Sequence, residues 1–294
     1  MHTHMDMQGT NPSFADLWSP GILLLTLLVG YLFFYVTGPG RYRFKGSEPV
    51  SGGNKMMFVS ALVLFYVGQG SPLSYYGHAH LFSAHMLQQS ILYLMVPPLV
   101  FGGLPVWLVK PLFDQKWMKK WVKPLTAPLF SVLLFNLLFS MYHIPLVFNT
   151  VAKVEFYHIG YHVLLFVTAF HMWFPILNRV PEWKRLSELQ MLAYIFANGV
   201  LLTPACALII LAKELLYEPY FGAPLLFDAL PPLDDQQLGG TVMKIIQEVV
   251  YGFALAYIFF RWFRKERSVD EPIEAHGHET ILRTGPNEGN LNGV

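Results

Sequence analysis

Six histidines lie near the ends of apolar segments, at positions that an alternating membrane topology would bring to one face. They are His78, His80, His85, His143, His158 and His162. His158 and His162 are four residues apart, so a helix would present both imidazoles on one side. Neutral imidazole nitrogens are good ligands for copper and other transition metals. The pattern therefore indicates metal chemistry at one end of a helical bundle.

A shared membrane depth favours a common metal site over separate roles. A single interfacial histidine usually only hydrogen-bonds to backbone or to lipid headgroups, and this remains the alternative for each residue. We predict four metal ligands: His85, His143, His158 and His162. Met86 directly follows His85 and Met141 lies two residues before His143. Their soft thioethers suit copper. Copper is the predicted metal.

Other polar residues are candidates for supporting roles. Gln89 follows His85 by one helical turn, where its amide would hydrogen-bond the ligand's second nitrogen. Glu248 lies well inside an apolar segment, either as a supporting carboxylate or as the ion-pair partner of the lysine one turn before it. Cys206 is either a further ligand or an ordinary core residue. His171 falls on the opposite face of its helix, which predicts a structural role.

The elements that position these residues follow from composition. The chain has 294 residues, 54% hydrophobic and 13% charged, with a mean hydropathy of +0.41. A membrane-spanning helix needs about 20 mainly apolar residues. Seven such segments lie at about 20–37, 56–72, 81–104, 125–143, 156–176, 190–212 and 242–262. The predicted fold is an all-α, polytopic membrane bundle of seven transmembrane helices.

The loop charges predict the orientation of this bundle. Alternating the seven spans places 17 of the 20 Lys and Arg residues on one side, and only Lys153, Lys213 and Lys244 on the other. Basic residues concentrate in cytoplasmic loops, so the N-terminus is predicted outside and the C-terminus in the cytoplasm. The chain then divides into an extracellular His/Met tail (1–19), a membrane domain (20–265) and a disordered cytoplasmic tail (266–294).

Composition and missing motifs argue against several classes of protein. A net charge of +1 gives no basic excess for nucleic acid, and a single cysteine excludes an intrachain disulfide or a Cys-x-x-Cys metal site. The sequence has no phosphate-binding glycine loop, Gly-x-Ser-x-Gly or His-Glu-x-x-His motif. We therefore predict that the protein is not an enzyme.

Two other functions compete with copper handling. A b-type haem could be held between His143 and His162 if these face each other across helices. A metal permease would need polar residues along the whole thickness of the bundle, and the inner halves of the spans offer mainly His171 and Asn198.

A motif before the last apolar segment predicts an anchoring contact. In Asp235-Gln236-Gln237-Leu238-Gly239-Gly240, Asp235 or Gln236 would cap or anchor the start of the seventh helix. The two glycines allow another backbone to approach closely. A structural cap and a contact with a partner protein are the two interpretations.

Over about residues 18–265, the chain resembles the CtaG family of cytochrome c oxidase assembly factors found in Gram-positive bacteria. The resemblance is carried by Ser83-Ala84-His85-Met86, Pro97-Pro98-Leu99, Gly103-x-Pro105, His143-x-Pro145, the pair His158 and His162, Tyr217-x-x-Tyr220, and the motif at 235–240. It implies a multi-pass protein of the bacterial plasma membrane that helps to mature a haem-copper oxidase, by helping to deliver copper to it. The implied partners are oxidase subunits, membrane lipid and a possible copper donor protein.

Overall fold

The computed structural model describes residues 12–224, 226–227 and 229–283. Most of the predicted His/Met tail therefore lies outside the described residues. Throughout the described part the secondary structure is helical, without strands. The helices are α1 (Phe14–Leu17), α2 (Pro20–Thr37), α3 (Gly52–Gly70), α4 (Pro72–Ala79), α5 (Phe82–Gly103), α6 (Val106–Phe113), α7 (Met118–Leu125), α8 (Pro128–Tyr142), α9 (Pro145–Ala152), α10 (Glu155–Leu177), α11 (Glu188–Ile210) and α12 (Pro232–Arg283).

Among the described residues, five helices are long and apolar enough to cross a membrane: α2, α5, α10, α11 and the part of α12 up to Arg267. Two bent pairs would raise the number to seven, since α3 and α4 meet at 41° and α7 and α8 at 64°. All seven predicted apolar segments are helical. The all-α membrane fold is confirmed, with five to seven candidate spans. The predicted cytoplasmic tail at 266–294 starts within α12, and its last residues, 284–294, lie outside the described residues.

Helix starts follow familiar sequence signals. Pro20, Pro72, Pro128 and Pro145 each occupy a first helical position, where the missing N–H costs no hydrogen bond. α11 begins with a capping box, in which the Ser187 side chain accepts from the backbone of the third helical residue. These local signals place the helix ends near the predicted span boundaries.

α5 is the central helix of the bundle. In its most apolar window 61% of the residues are buried, against 17% for α2, which lies at the periphery. α5 widens into a π-helical turn at Ile91–Met95, just before Pro97 and Pro98. Neither proline has an N–H, so neither an α-type nor a π-type bond can reach the Tyr93 carbonyl. The indole Nε1 of Trp173 in α10 donates to that carbonyl instead, at 3.2 Å.

Close packing of α5 against α3 depends on Gly103. A Cβ atom there would lie 2.7 Å from the backbone nitrogen of Phe58 and 2.8 Å from its Cα, so the two backbones would have to separate. We expect Gly103→Ala to destabilise the fold by about 1–3 kcal/mol. A lower thermal unfolding temperature in detergent would show this.

Gly160→Ala is the matched control, because nothing lies within 4 Å of the added atom and alanine favours a helix. Equal unfolding temperatures for the two variants would contradict the packing argument.

Candidate functional site

Four histidine rings form a continuous row at one end of the bundle, where the first turns of α5 and α10 meet α4. The ring centroids of His78 and His158 are 5.1 Å apart, those of His158 and His162 are 4.4 Å apart, and those of His162 and His85 are 5.5 Å apart. We call these four residues the histidine row. The predicted same-face pair on α10 supplies its middle.

Exposure falls along the histidine row. His78 is exposed, His158 and His162 are partly buried, and His85 keeps only 2% of its surface accessible. The row therefore connects the protein surface with the interior of the bundle. His158 and His162 are neighbours because they lie one turn apart on α10. The other two contacts join α10 to His78 on α4 and to His85 on α5.

Tyrosines and an amide hold the inner rings. The Gln89 amide donates to Nε2 of His85 at 2.8 Å, which requires that nitrogen to be unprotonated. The Tyr142 hydroxyl lies 2.9 Å from Nε2 of His162 and 3.3 Å from Nε2 of His85. The Tyr93 hydroxyl lies 2.8 Å from Nδ1 of His162. Both ring nitrogens of His162 are therefore engaged by tyrosine.

Tyr142 occupies the point between the two innermost rings. Two imidazole nitrogens that bind one ion, each at about 2.0–2.1 Å, are at most about 4 Å apart, so an ion shared by His85 and His162 would have to displace this hydroxyl or bind it. Within the described ranges, no group of three or more His, Cys, Asp or Glu side chains is arranged to hold a metal ion. The site is therefore a row in which each imidazole ring has one or two imidazole neighbours. At its inner end, the Tyr142 hydroxyl lies between the rings of His85 and His162.

His143 lies beside the row. Its ring is fully buried and packs on Phe139 and Tyr142, with centroid distances of 4.3 and 5.2 Å. Its Nδ1 donates to the Phe139 carbonyl at 2.8 Å, which leaves Nε2 unprotonated. That Nε2 is buried without a hydrogen-bond partner among the described residues. The Tyr142 ring therefore contacts His143 on one side and the inner rings of the row on another.

The other predicted site residues lie in different surroundings. Met86 is fully buried and faces α12, where a Cβ on Gly239 would lie 3.0 Å from its Cγ. Met141 is 40% exposed on the outside of the bundle. Glu248, with 63% of its side chain exposed, forms an ion pair with Lys244 at 2.6 Å, which is the structural alternative considered for it.

Cys206 is 1% exposed in the hydrophobic core, and the half-buried His171 packs edge-on against the Phe130 ring at 6.0 Å. Both placements agree with ordinary packing roles.

Asp235 fastens α12 to the first turn of the helix that carries His85. Its buried carboxylate accepts from the backbone N–H of Phe82 at 2.6 Å, from the N–H of Ser83 and from the Ser83 hydroxyl. A carboxylate at a helix N-terminus satisfies unpaired N–H groups and complements the helix dipole. The predicted cap therefore exists, but it caps α5 in place of its own helix.

The rest of the motif at 235–240 extends this anchor. The Gln236 side chain accepts from the Leu216 N–H at 2.8 Å and donates to the Glu214 carbonyl at 3.2 Å. Gln237 donates to the Ala212 carbonyl at 2.7 Å. These bonds tie the segment that follows α11 to the start of α12.

Two tyrosines of that segment close over the site. The Tyr217 hydroxyl donates to the His143 carbonyl at 2.9 Å, and the Tyr220 hydroxyl donates to the Gly77 carbonyl at 2.6 Å. The Phe82 ring stacks on Tyr217 at 4.5 Å. The part of this segment that carries Tyr217 and Tyr220 therefore covers the end of the bundle that carries the histidine row.

One comparison with known proteins identifies the family of this chain. A family model described as cytochrome c oxidase caa3 assembly factor (Caa3_CtaG) matches residues 24–265, which is most of the chain. The chain belongs to this family. The resemblance drawn from the spaced motifs is thus confirmed. No curated protein and no solved structure matches the chain. In this member of the family, the histidine row and the Asp235 anchor both lie inside the matched range.

Sequence reasoning did not select Tyr93 and Tyr142, which shape the site. It counted His78 among the six clustered histidines but not among the four predicted ligands. A signal for Tyr93 existed, because His85, Gln89 and Tyr93 follow each other at four-residue steps and so share one helix face. His78 falls between the predicted segments 56–72 and 81–104. In the structure it lies in α4, which packs against α5, and its ring contacts His158 of α10. Tyr142 has no comparable signal in its own segment.

Proposed function

We propose that this protein helps to mature a caa3-type cytochrome c oxidase by accepting copper at the histidine row and passing it on. The observation that carries the proposal is the continuous line of four imidazoles from exposed His78 to buried His85. Family membership supports the oxidase as the target, because the matching model describes caa3 assembly factors.

Ligand exchange between neighbouring rings is the chemistry that suits such a row. Copper is the cargo, and neutral imidazoles bind it well. Neighbouring centroids are 4.4 to 5.5 Å apart, so adjacent rings can rotate to share one ion, and the next ring can replace the previous one. Because Tyr142 and Tyr93 compete for the nitrogens of His162, the affinity stays moderate, as a hand-off requires.

The predicted ligands have different places in this proposal. His85, His158 and His162 belong to the row, and Gln89 orients His85 as a supporting residue. The unpartnered Nε2 of His143 is available if Tyr142 moves. Thioether donation by Met86 or Met141, and a supporting role for Glu248, stay predictions.

The proposed setting is a seven-span bundle in the bacterial plasma membrane, with the N-terminus outside and the C-terminus in the cytoplasm. The loop charges support this orientation, which places the histidine row at the external face. There the His/Met tail at 1–19 would collect copper, and a donor protein and oxidase subunits would have access to His78. The role is transfer of an ion between proteins, without catalytic turnover.

A complementation experiment tests the proposal in cells. A strain that lacks the gene would receive the wild-type protein, the double variant His158→Ala with His162→Ala, or the control His171→Ala. Because the double variant removes the middle of the row, we expect it to leave the oxidase deficient in copper per haem and in activity. Wild type and the control should restore both.

Membrane levels of each variant would be measured by immunoblot. Full oxidase copper with a normally inserted double variant would contradict the proposed function.

A further inference from the structure

A cavity of about 430 Å³ lies between α3, α5, α10 and α12, away from the histidine row. Its walls are mainly apolar and include Met57, Leu99, Trp173, Phe253, Ala254 and Tyr257. Met57 and Phe253 are 43% and 74% exposed, so the cavity opens on the outer surface of the bundle, where lipid would lie. Its size falls within the range of small-molecule sites.

Two arginines also line the cavity: Arg179, just after the end of α10, and Arg261 on α12. Nη2 of Arg261 contacts the Met191 sulfur at 3.0 Å, and its Nε is buried without a hydrogen-bond partner among the described residues. In the part of the chain that the structure describes, neither arginine joins any of the ion pairs found. The Arg261 guanidinium also lies over the Tyr257 ring, 5.7 Å from its centroid. Since neither a thioether nor a ring face is a strong acceptor, the donors of both guanidinium groups other than the buried Nε are available to an anion.

The apolar walls and the two arginines together match an amphiphile with a negatively charged headgroup. Guanidinium groups match phosphate oxygens in a forked geometry, and an apolar cleft gains free energy by covering an acyl chain. In the proposed topology this end of the bundle is cytoplasmic, and that leaflet is rich in anionic lipid. One acyl chain would enter the cavity and the other would stay in the bilayer.

We propose that this cavity binds one anionic phospholipid, with its phosphate on Arg179 and Arg261 and one acyl chain along the wall formed by Ala254 and Trp173. The site is separate from the histidine row. It therefore does not depend on copper being the cargo.

Native mass spectrometry tests the proposal. The full-length protein would be released from nanodiscs that contain equal amounts of phosphatidylglycerol and phosphatidylcholine. We expect one retained phosphatidylglycerol, favoured about tenfold or more over phosphatidylcholine. Arg179→Gln with Arg261→Gln should abolish this preference.

Arg264→Gln is the matched control, because Arg264 is on the same helix but outside the cavity lining, exposed and bonded to the Phe260 carbonyl. It should keep the preference.

A second pair of variants tests the acyl chain while leaving the arginines intact. Ala254→Leu fills the cavity and should weaken phosphatidylglycerol retention several-fold, whereas Ala256→Leu, outside this cavity, should not. Retention of both lipids at equal levels, or unchanged retention in the double arginine variant, would overturn the proposal. So would displacement of the lipid by millimolar inorganic phosphate, since the acyl chain would then contribute nothing.

Discussion

Replacing Asp235 by alanine is expected to unfold the end of the bundle that carries the histidine row. The substitution leaves the Phe82 and Ser83 N–H groups and the Ser83 hydroxyl without their acceptor, in a place where Phe82 is 1% exposed. Hydrogen bonds to a charged group contribute about 1.5–3 kcal/mol each, so we expect a loss of at least about 3 kcal/mol. A thermal melt of the purified protein in detergent measures it.

Asp234 is the matched control, because it is adjacent and exposed. Asp234→Ala should unfold close to the wild-type temperature. Asp235→Asn keeps one oxygen acceptor and should lie between the two. If Asp235→Ala unfolds at the same temperature as Asp234→Ala, the carboxylate does not fasten α12 to α5.

The fold follows from local features that act within single segments. Apolar length, proline at the first helical position and serine caps are all visible in the sequence, and the seven predicted segments are all helical in the structure. The bends between α3 and α4 and between α7 and α8 were not visible, because they depend on packing against other helices. The sequence therefore predicted which segments are helical, but not where the chain bends between them.

Contacts of the site between two residues of the same helix were predictable from the sequence. His158 and His162 are neighbours because of their spacing, and Gln89 contacts His85 for the same reason. Contacts between helices were not predictable. The side chain of Tyr142 reaches His85 on α5 and His162 on α10 only because three helices converge. Likewise, nothing in the Asp235 motif indicates that it caps a helix 152 residues away in sequence.

Removal of both His158 and His162 has the largest predicted effect on copper binding. The His162 ring contacts both His158 and His85, so its loss interrupts the row between the surface and the interior. We expect His158→Ala with His162→Ala to weaken copper binding by at least about 100-fold, since even removal of residues that only support ligands costs 10–100-fold.

Tyr142→Phe is expected to act in the opposite direction. It removes the hydroxyl that hydrogen-bonds to the nitrogens of His162 and His85, but it keeps the ring that packs on His143. One hydrogen bond that no longer has to break is worth about 1 kcal/mol, so copper should bind about five- to tenfold more tightly.

The most direct measurement is a titration of the purified, full-length protein with Cu(I) in competition with a chromophoric chelator. We predict saturable binding by the wild-type protein and by His171→Ala, and tighter binding by Tyr142→Phe. His158→Ala with His162→Ala should bind copper at least about 100-fold more weakly than the wild type. If the folded double variant takes up as much copper as the wild type, with the same affinity, the histidine row is not the copper site.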